Sequence, residues 1–401
     1  MKHWLLAFFL LFAACAEPDL VCDDSLDCVT ILPNEPIRIG YLLAESGPAA
    51  FLGQDSKGGI ELAIDDRAIG LLDHEIALVG EDTRCNPAQG QAAAEALLAD
   101  TAVLGVIGAN CSNVTEIVMP LIHAAGLTMI SPSNTASDLM GNQSWQGAYA
   151  RTIPAVGRQA EMAAAFALDT LGGQTAVTLH DGSDYGRNLA QTFAAAWRNG
   201  DGVVIAEYEV ASQPDLNVIL TDLSFNIPDI LYLSLFEPEA NYVLNALRQT
   251  PGLDEIVLLG GENLLVSSFP QSAGQAVEGM YITSTAVTGA AYDLFLVKWG
   301  VKYGDAPSSV YHAHAYDAAN ILLTAVETVA QQSPNGTLLV GRQALRDAII
   351  NTADFPGLTG SLTCRPSGEC ASSEALGVYQ ITADEIAGNF WPPPLIWQPT
   401  R

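Results

Sequence analysis

Residues 108–135 read GANCSNVTEIVMPLIHAAGLTMISPSNT, and this stretch decides the fold. The apolar run Leu104-Gly105-Val106-Ile107-Gly108 predicts a buried strand, and Cys111-Ser112-Asn113 follows at its carboxyl edge, where a helix begins. Leu127-Thr128-Met129-Ile130 is the next strand, with Ser131-Pro132-Ser133-Asn134-Thr135 at its edge. Open α/β sheets bind ligands at the carboxyl ends of their strands. Helix N-termini there present free N–H groups to anions. The two hydroxyl-rich loops are therefore expected to clamp the carboxylate of a small ligand.

The same alternation extends in both directions. Strands are expected at 37–43 and 74–80, with helices at 58–69 and 88–100. Beyond residue 158, helices at 158–171, 187–199, 216–223 and 240–249 alternate with strands at 175–179, 203–210, 230–235, 256–259 and 280–284. Helices at 291–303, 313–331 and 338–352 and strands at 358–364 and 376–381 complete the pattern. Repeated βα units predict parallel sheets with helices on both faces. There are too many for one sheet. A break at Arg151-Thr152-Ile153-Pro154 divides them into two lobes whose polar strand-edge loops face one another across a cleft.

The 401 residues are 49% hydrophobic, ample for a core, and carry a net charge of −29. That charge excludes nucleic acid, which needs clustered Lys and Arg, and leaves no basic face for anionic lipid. Lys2 followed by apolar residues 4–14 reads as a targeting segment too short to span a bilayer. It ends in Phe12-Ala13-Ala14-Cys15, which resembles the bacterial lipobox, with Phe12 where Leu is usual. Cys15 is then the lipidated first residue of an exported chain, held to the membrane by its lipid anchor only. An ordinary secretory signal is the alternative.

Removing Cys15 from the seven cysteines leaves six, and an exported compartment permits disulfides. Six cysteines allow fifteen pairings. Cys22/Cys28 and Cys364/Cys370 are the obvious local staples, which leaves Cys85 with Cys111. No zinc-like Cys or His spacing appears.

Signatures of phosphate-binding loops, dinucleotide sites, zinc proteases and serine hydrolases are missing. His312 and His314 flank Ala313, a weak metal pattern that is more often structural, and His180 opens a strand-edge loop without a nucleophile at a matching spacing. No catalytic residue, metal or cofactor is assigned. The loops do hold the groups an amino acid needs: Ser112 and Thr135 hydroxyls for a carboxylate, and Glu262 for an ammonium. Each has a plainer explanation. Ser112 can cap the following helix, Asn113 and Glu116 form a competing capping box, and Pro120 predicts a kink or a later helix start. Thr135 can be a turn residue, Glu262 a solvated acid, and Tyr185 and Phe236 core aromatics.

Taken in order, these residues look familiar. Ile39-Gly40, Ser46-Gly47-Pro48 with Gly53, Asp82-Thr83-Arg84-Cys85-Asn86-Pro87, Ile107-Gly108 to Cys111-Ser112, and Ile130-Ser131-Pro132-Ser133-Asn134-Thr135 come first. Arg151-Thr152, His180-Asp181 with Tyr185-Gly186, and Pro238-Glu239 follow. From residue 37 to about 382 the chain resembles the periplasmic leucine/isoleucine/valine-binding proteins of ABC transporters, which have the type 1 periplasmic-binding fold. The resemblance implies two Rossmann-like lobes joined by a three-crossing hinge, with the ligand in the cleft, and it implies the Cys85–Cys111 bridge as well. By position, Ser112 and Thr135 with the Ser133 backbone would hold the ligand carboxylate. Glu262 with the Ser133 carbonyl would hold its ammonium, and Tyr185 would close from the second lobe. Leu52 and Tyr311 fall on the side-chain pocket. Phe236 stands where the family commonly has Tyr, and Leu52 stands at a usual aromatic position.

The chain is thus expected to divide into a signal with Cys15 (1–15), a tether (16–36), lobe 1 (37–152 with 284–360), lobe 2 (153–283 with 361–390) and an irregular tail (391–401). The expected protein is an extracytoplasmic solute-binding protein, a monomer that closes on an amino acid or similar small carboxylate and presents it to a membrane permease. A ligand-sensing lipoprotein and an α/β hydrolase are the alternatives.

Overall fold

The computed structural model describes residues 20–398 except 68, 137, 142–144, 146, 211–212 and 373–375. The targeting segment and Cys15 lie outside the described residues. Strand β1 (Cys28–Ile31) leads into β2 (Ile37–Leu43), α1 (Ala50–Asp65), β3 (Ile76–Asp82), α2 (Pro87–Leu98), β4 (Val103–Gly108), α3 (Ser112–Ala124), β5 (Met129–Ser131) and β6 (Tyr149–Arg151). Then come α4 (Val156–Ala165), β7 (Thr175–His180), α5 (Asp184–Asn199), β8 (Val203–Glu209), α6 (Gln213–Phe225), β9 (Ile230–Ser234), α7 (Glu239–Gln249), β10 (Val257–Gly260), α8 (Ser268–Ala273) and β11 (Tyr281–Thr285). The chain returns through α9 (Ala290–Tyr303), α10 (Tyr311–Val329), β12 (Gln331–Gln332), β13 (Leu338–Gly341), α11 (Arg342–Ile350), β14 (Phe355–Gly357) and β15 (Gly360–Leu362). It ends with β16 (Leu376–Gln380), α12 (Ala383–Ile386) and β17 (Leu395–Trp397).

Two sheets organise these elements. The first lobe holds five parallel strands in the order β3-β2-β4-β5-β6. The second holds seven, β17-β16-β11-β10-β9-β7-β8, of which β16 and β17 run antiparallel to their neighbours. Strands covered on both faces are apolar throughout, and every residue of β4 and of β9 is buried. The chain passes between lobes three times: β6 to α4, β11 to α9, and β15 to β16.

Helices α1 and α10 pack against the first sheet and against each other. Close approaches explain the glycines of α1: a Cβ at Gly59 would fall 2.1 Å from the His312 carbonyl oxygen of α10, one at Gly53 2.1 Å from Ala44 O, and one at Gly58 2.3 Å from the Trp299 ring of α9. Glycine in a helix interior weakens it by about 1 kcal/mol against alanine, and packing overrides that. The helix therefore begins at Ala50 rather than at 58 as periodicity predicts.

Other expectations also need correcting. Residues 338–341 form a strand, not a helix: Leu338 and Val340 bury themselves by pairing β13 with β1. The expected tether is therefore partly built into the first lobe. The expected tail supplies β17, and Trp397 packs 5.5 Å from the Phe166 ring. Pro120 lies inside α3, which starts at Ser112 and neither starts late nor takes a side-chain cap. Ser284 and Thr285 belong to β11 in the second sheet. The cysteines pair as Cys22–Cys28, Cys85–Cys111 and Cys364–Cys370.

Candidate functional site

The site is built on the carboxyl ends of β2, β4 and β5. After β4 the chain turns through Asn110 to Cys111, the N-cap position of α3. The Cys111 sulfur is committed to Cys85, so no side chain caps the helix. Four N–H groups open a helix without intrahelical partners, and Ser112, the first helical residue, adds a nearly buried hydroxyl. Asn110 stitches the strand ends together. Its Oδ1 accepts from Ala44 N at 2.8 Å, and its Nδ2 donates to Ser133 Oγ at 3.0 Å and Ser56 Oγ at 3.1 Å. Ser133 Oγ donates back to Asn110 O at 3.1 Å.

The loop after β5 is shaped by Ser131. Its Oγ donates to Ala109 O at 2.8 Å and accepts from Asn134 N at 3.0 Å and, more weakly, from Ser133 N at 3.3 Å. Thr135 ends this loop, 2% exposed, with a hydroxyl that has no hydrogen-bond partner.

The second lobe supplies Glu262 after β10, 2% exposed, with Oε2 likewise unpartnered. Burial pushes the Glu262 carboxyl above its ordinary range, while the nearby Gln159, Tyr185 and Thr135 side chains pull the other way. Gln159 is itself occupied, donating to Thr283 O at 2.8 Å and Thr283 Oγ1 at 3.2 Å. The Tyr185 hydroxyl donates to Asn263 Oδ1 at 3.1 Å, and Asn263 Nδ2 donates to Leu235 O. The Tyr185 and Phe236 rings stand 5.5 Å apart.

A cavity of about 80 Å³ lies between the lobes. One water needs roughly 10–15 Å³ of such space, so this one admits a small molecule. The first lobe lines it with Leu52, Cys85, Asn110, Cys111, Ser112, Asn113, Ser133 and Tyr311, and the second with Ser183, Asp184, Tyr185, Phe236, Glu262 and Asn263. The cleft thus brings together Ser112, Ser133, Tyr185, Phe236, Glu262, Leu52 and Tyr311. Thr135 stands beside Glu262 without lining the cavity. None of the described lining residues is Lys or Arg.

Residues 36–384 match the family described as periplasmic binding protein. The chain belongs to this family. Among its relatives, the Leu/Ile/Val-binding protein BraC3 of Rhizobium johnstonii is 23% identical over 359 residues, 88% of this chain and 94% of that one. Two solved structures share the fold. The branched-chain amino acid transporter substrate-binding protein LivJ of Streptococcus pneumoniae, in complex with isoleucine, is 23% identical with a TM-score of 0.76, covering 91% of this chain and all of that one (100%). An ABC transporter solute-binding protein from R. palustris, in complex with benzoate, is 20% identical with a TM-score of 0.72, covering 86% and 93%.

Of the three histidines considered, His180 and His312 lie outside the cavity lining, while His314 serves the hinge. His180 Nδ1 accepts from Gly182 N at 3.1 Å and shapes a turn. His312 Nδ1 donates to Asp55 Oδ2 at 2.9 Å, and its Nε2 meets the Tyr292 hydroxyl at 2.8 Å. His314 Nδ1 lies 2.9 Å from Thr152 O. A carbonyl oxygen only accepts, so Nδ1 carries the proton, and Nε2 accepts from Thr285 Oγ1 at 3.2 Å. His314 thereby ties the first crossing to the second. Among the described residues no cluster could hold a metal ion.

Sequence reasoning missed Asn110, Ser183, Asp184 and Asn263 as lining residues and treated Asn113 only as a cap. Asn110 had a visible signal, its place between β4 and α3. Asn263 adjoins Glu262 in the same strand-edge loop.

Proposed function

We propose that this chain is the extracytoplasmic solute-binding protein of an ABC importer, capturing a free amino acid or an amino-acid-like carboxylate by hinge closure, with no covalent step. The observation that carries this reading is the Glu262 carboxylate. It is buried, one oxygen lacks a partner, and none of the described residues lining the cavity is a cation. A buried carboxylate is costly unless paired, and a ligand ammonium supplies the pair. Ser133 O completes the ammonium site.

At the other end, the uncapped N-terminus of α3 favours an anion through its free N–H groups and its dipole. Ser112 and Thr135 hydroxyls with Ser133 N take the ligand carboxylate there. Leu52, Tyr311 and Phe236 form the wall for the ligand side chain, with Tyr185 closing from the second lobe. Phe236 presents no hydroxyl and Leu52 no ring, so the reading is an amino-acid-like ligand rather than leucine, isoleucine or valine specifically. Helices α3 and α5, one from each lobe, already touch across the cleft. Closure is the rigid-body hinge type.

In this reading the chain is a periplasmic monomer anchored by a lipid on Cys15, and a membrane permease receives the loaded form. A thermal-shift panel of free amino acids and small carboxylates tests it. A ligand at about 100 times its Kd stabilises by about 2.7 kcal/mol. A panel in which simple carboxylates shift the melt and no amino acid does removes the ammonium from the ligand.

A further inference from the structure

The Arg151 guanidinium grips two distant parts of the molecule at once. Its Nη1 donates to Asn134 O at 3.1 Å and Ala136 O at 2.8 Å, the carbonyls on either side of Thr135. Its Nε and Nη2 donate to Glu369 Oε2 at 2.9 and 2.7 Å. Glu369 belongs to the third crossing, between β15 and β16. The Arg151 side chain is 1% exposed, and its rigid planar fork links the orientation of one set of partners to the other.

The main chains make the same junction. Arg151 N donates to Gly368 O, and Cys370 N donates to Arg151 O, both at 3.0 Å. Gly368 has φ +93°, and a Cβ there would stand 2.2 Å from Tyr149 O. Cys364–Cys370 closes this segment on itself.

Thr135 is held from its other side by the second lobe. Its carbonyl accepts from Val156 N, the first residue of α4, at 2.8 Å. The tripeptide 134–136 therefore has its outer carbonyls on Arg151 and its middle carbonyl on the second lobe. Rotation of that lobe pulls on Thr135 through Val156 and on Glu369 through the third crossing. Arg151 is where the two meet.

We propose that Arg151 is a positioning residue that couples ligand capture at Thr135 to the third hinge crossing through Glu369. The ligand in this statement rests on the functional reading above; the mechanical link does not.

The test uses Glu369→Gln, Arg151→Lys and Thr135→Ala in the full chain, singly and in pairs. The first readout is amide hydrogen exchange without ligand. Glu369→Gln is expected to raise exchange at 133–136, the loop that Arg151 holds through Asn134 O and Ala136 O; unchanged exchange there overturns the proposal whatever the ligand. The second readout is affinity for the amino acid that shifts the melt most. Glu369→Gln should weaken binding about tenfold in the native background and less than about twofold beside Thr135→Ala, because residues acting through one another are non-additive. Equal losses in both backgrounds reduce Arg151 to general support and overturn the proposal. Glu369→Gln preserves side-chain shape and remains readable if Arg151→Lys does not fold. If no amino acid shifts the melt, the functional reading fails, and the exchange experiment still decides the coupling.

Discussion

Thr135 and Glu262 come from opposite lobes and meet at the cleft, each buried and each carrying an oxygen without a hydrogen-bond partner. Buried polar atoms are nearly always paired, and in the proposed reading the ligand ammonium supplies the partner that Glu262 lacks.

Glu262→Gln should cost about 2–5 kcal/mol in ligand binding, thirtyfold or more in Kd, as measured by calorimetry. The same change should stabilise the ligand-free protein. A carboxyl whose folded pKa is raised binds more protons when folded, so its burden grows as pH rises above the unfolded value. Melting curves of the ligand-free protein should therefore diverge towards neutral pH. Unchanged affinity would end the ammonium role.

His314 should make the hinge acid-sensitive. Burial lowers its pKa from 6.5 to about 4. The unfolded chain then binds the extra proton in that window, so stability is intact above pH 6.5 and falls as pH drops towards 4. The full effect is about 3 kcal/mol. Asp317 acts in the opposite sense, since burial raises its carboxyl to about 6. The informative quantity is thus the difference between native and His314→Gln melts from pH 7 to 4.5. Parallel curves would contradict this assignment.

Opening Cys85–Cys111 should lower stability by roughly 3.5 kcal/mol for a loop of this length, the sequence separation being 26. Both cysteines also line the cavity. The Cys85→Ser, Cys111→Ser double variant should therefore lose affinity as well as melting temperature. A stable variant with native affinity would show the bridge to be dispensable to the site.

Leu52→Phe should move selectivity towards ligands with smaller side chains. Leu52 is 4% exposed and lines the cavity, so the added volume either fills ligand space or costs about 1–3 kcal/mol in strain. Competition binding across a series from alanine to phenylalanine separates these outcomes. An unaltered preference order would place Leu52 outside the side-chain pocket.

The parallel sheets were legible because strands buried on both faces are continuous apolar runs, as Leu104-Gly105-Val106-Ile107-Gly108 illustrates. The loops carrying Ser112, Ser133 and Glu262 were legible because polar residues crowd where such runs end. Residues 338–341 misled because Leu-Leu-Val-Gly leads directly into a helix, and pairing with the distant residues 28–31 and with β12 makes it a strand. Asn110 was hidden for a similar reason. Its worth lies in reaching Ala44, Ser56 and Ser133 together, a relation between chain segments that no local pattern encodes. The start of α1 was obscured by glycines that close packing requires, Gly53 against Ala44, Gly58 against Trp299 and Gly59 against His312.

The strand β1 has a mechanical consequence. Asp24, just before it, accepts from Gln343 N and Ala344 N at the start of α11, both at 2.9 Å. Cys22–Cys28 closes the turn between them, and β1 itself is laced to β13. Any force arriving through the N-terminal segment is thus delivered to the first lobe alone. That lobe becomes the stator, and the second, joined to it by the hinge crossings and meeting it across the cleft, is the part free to swing.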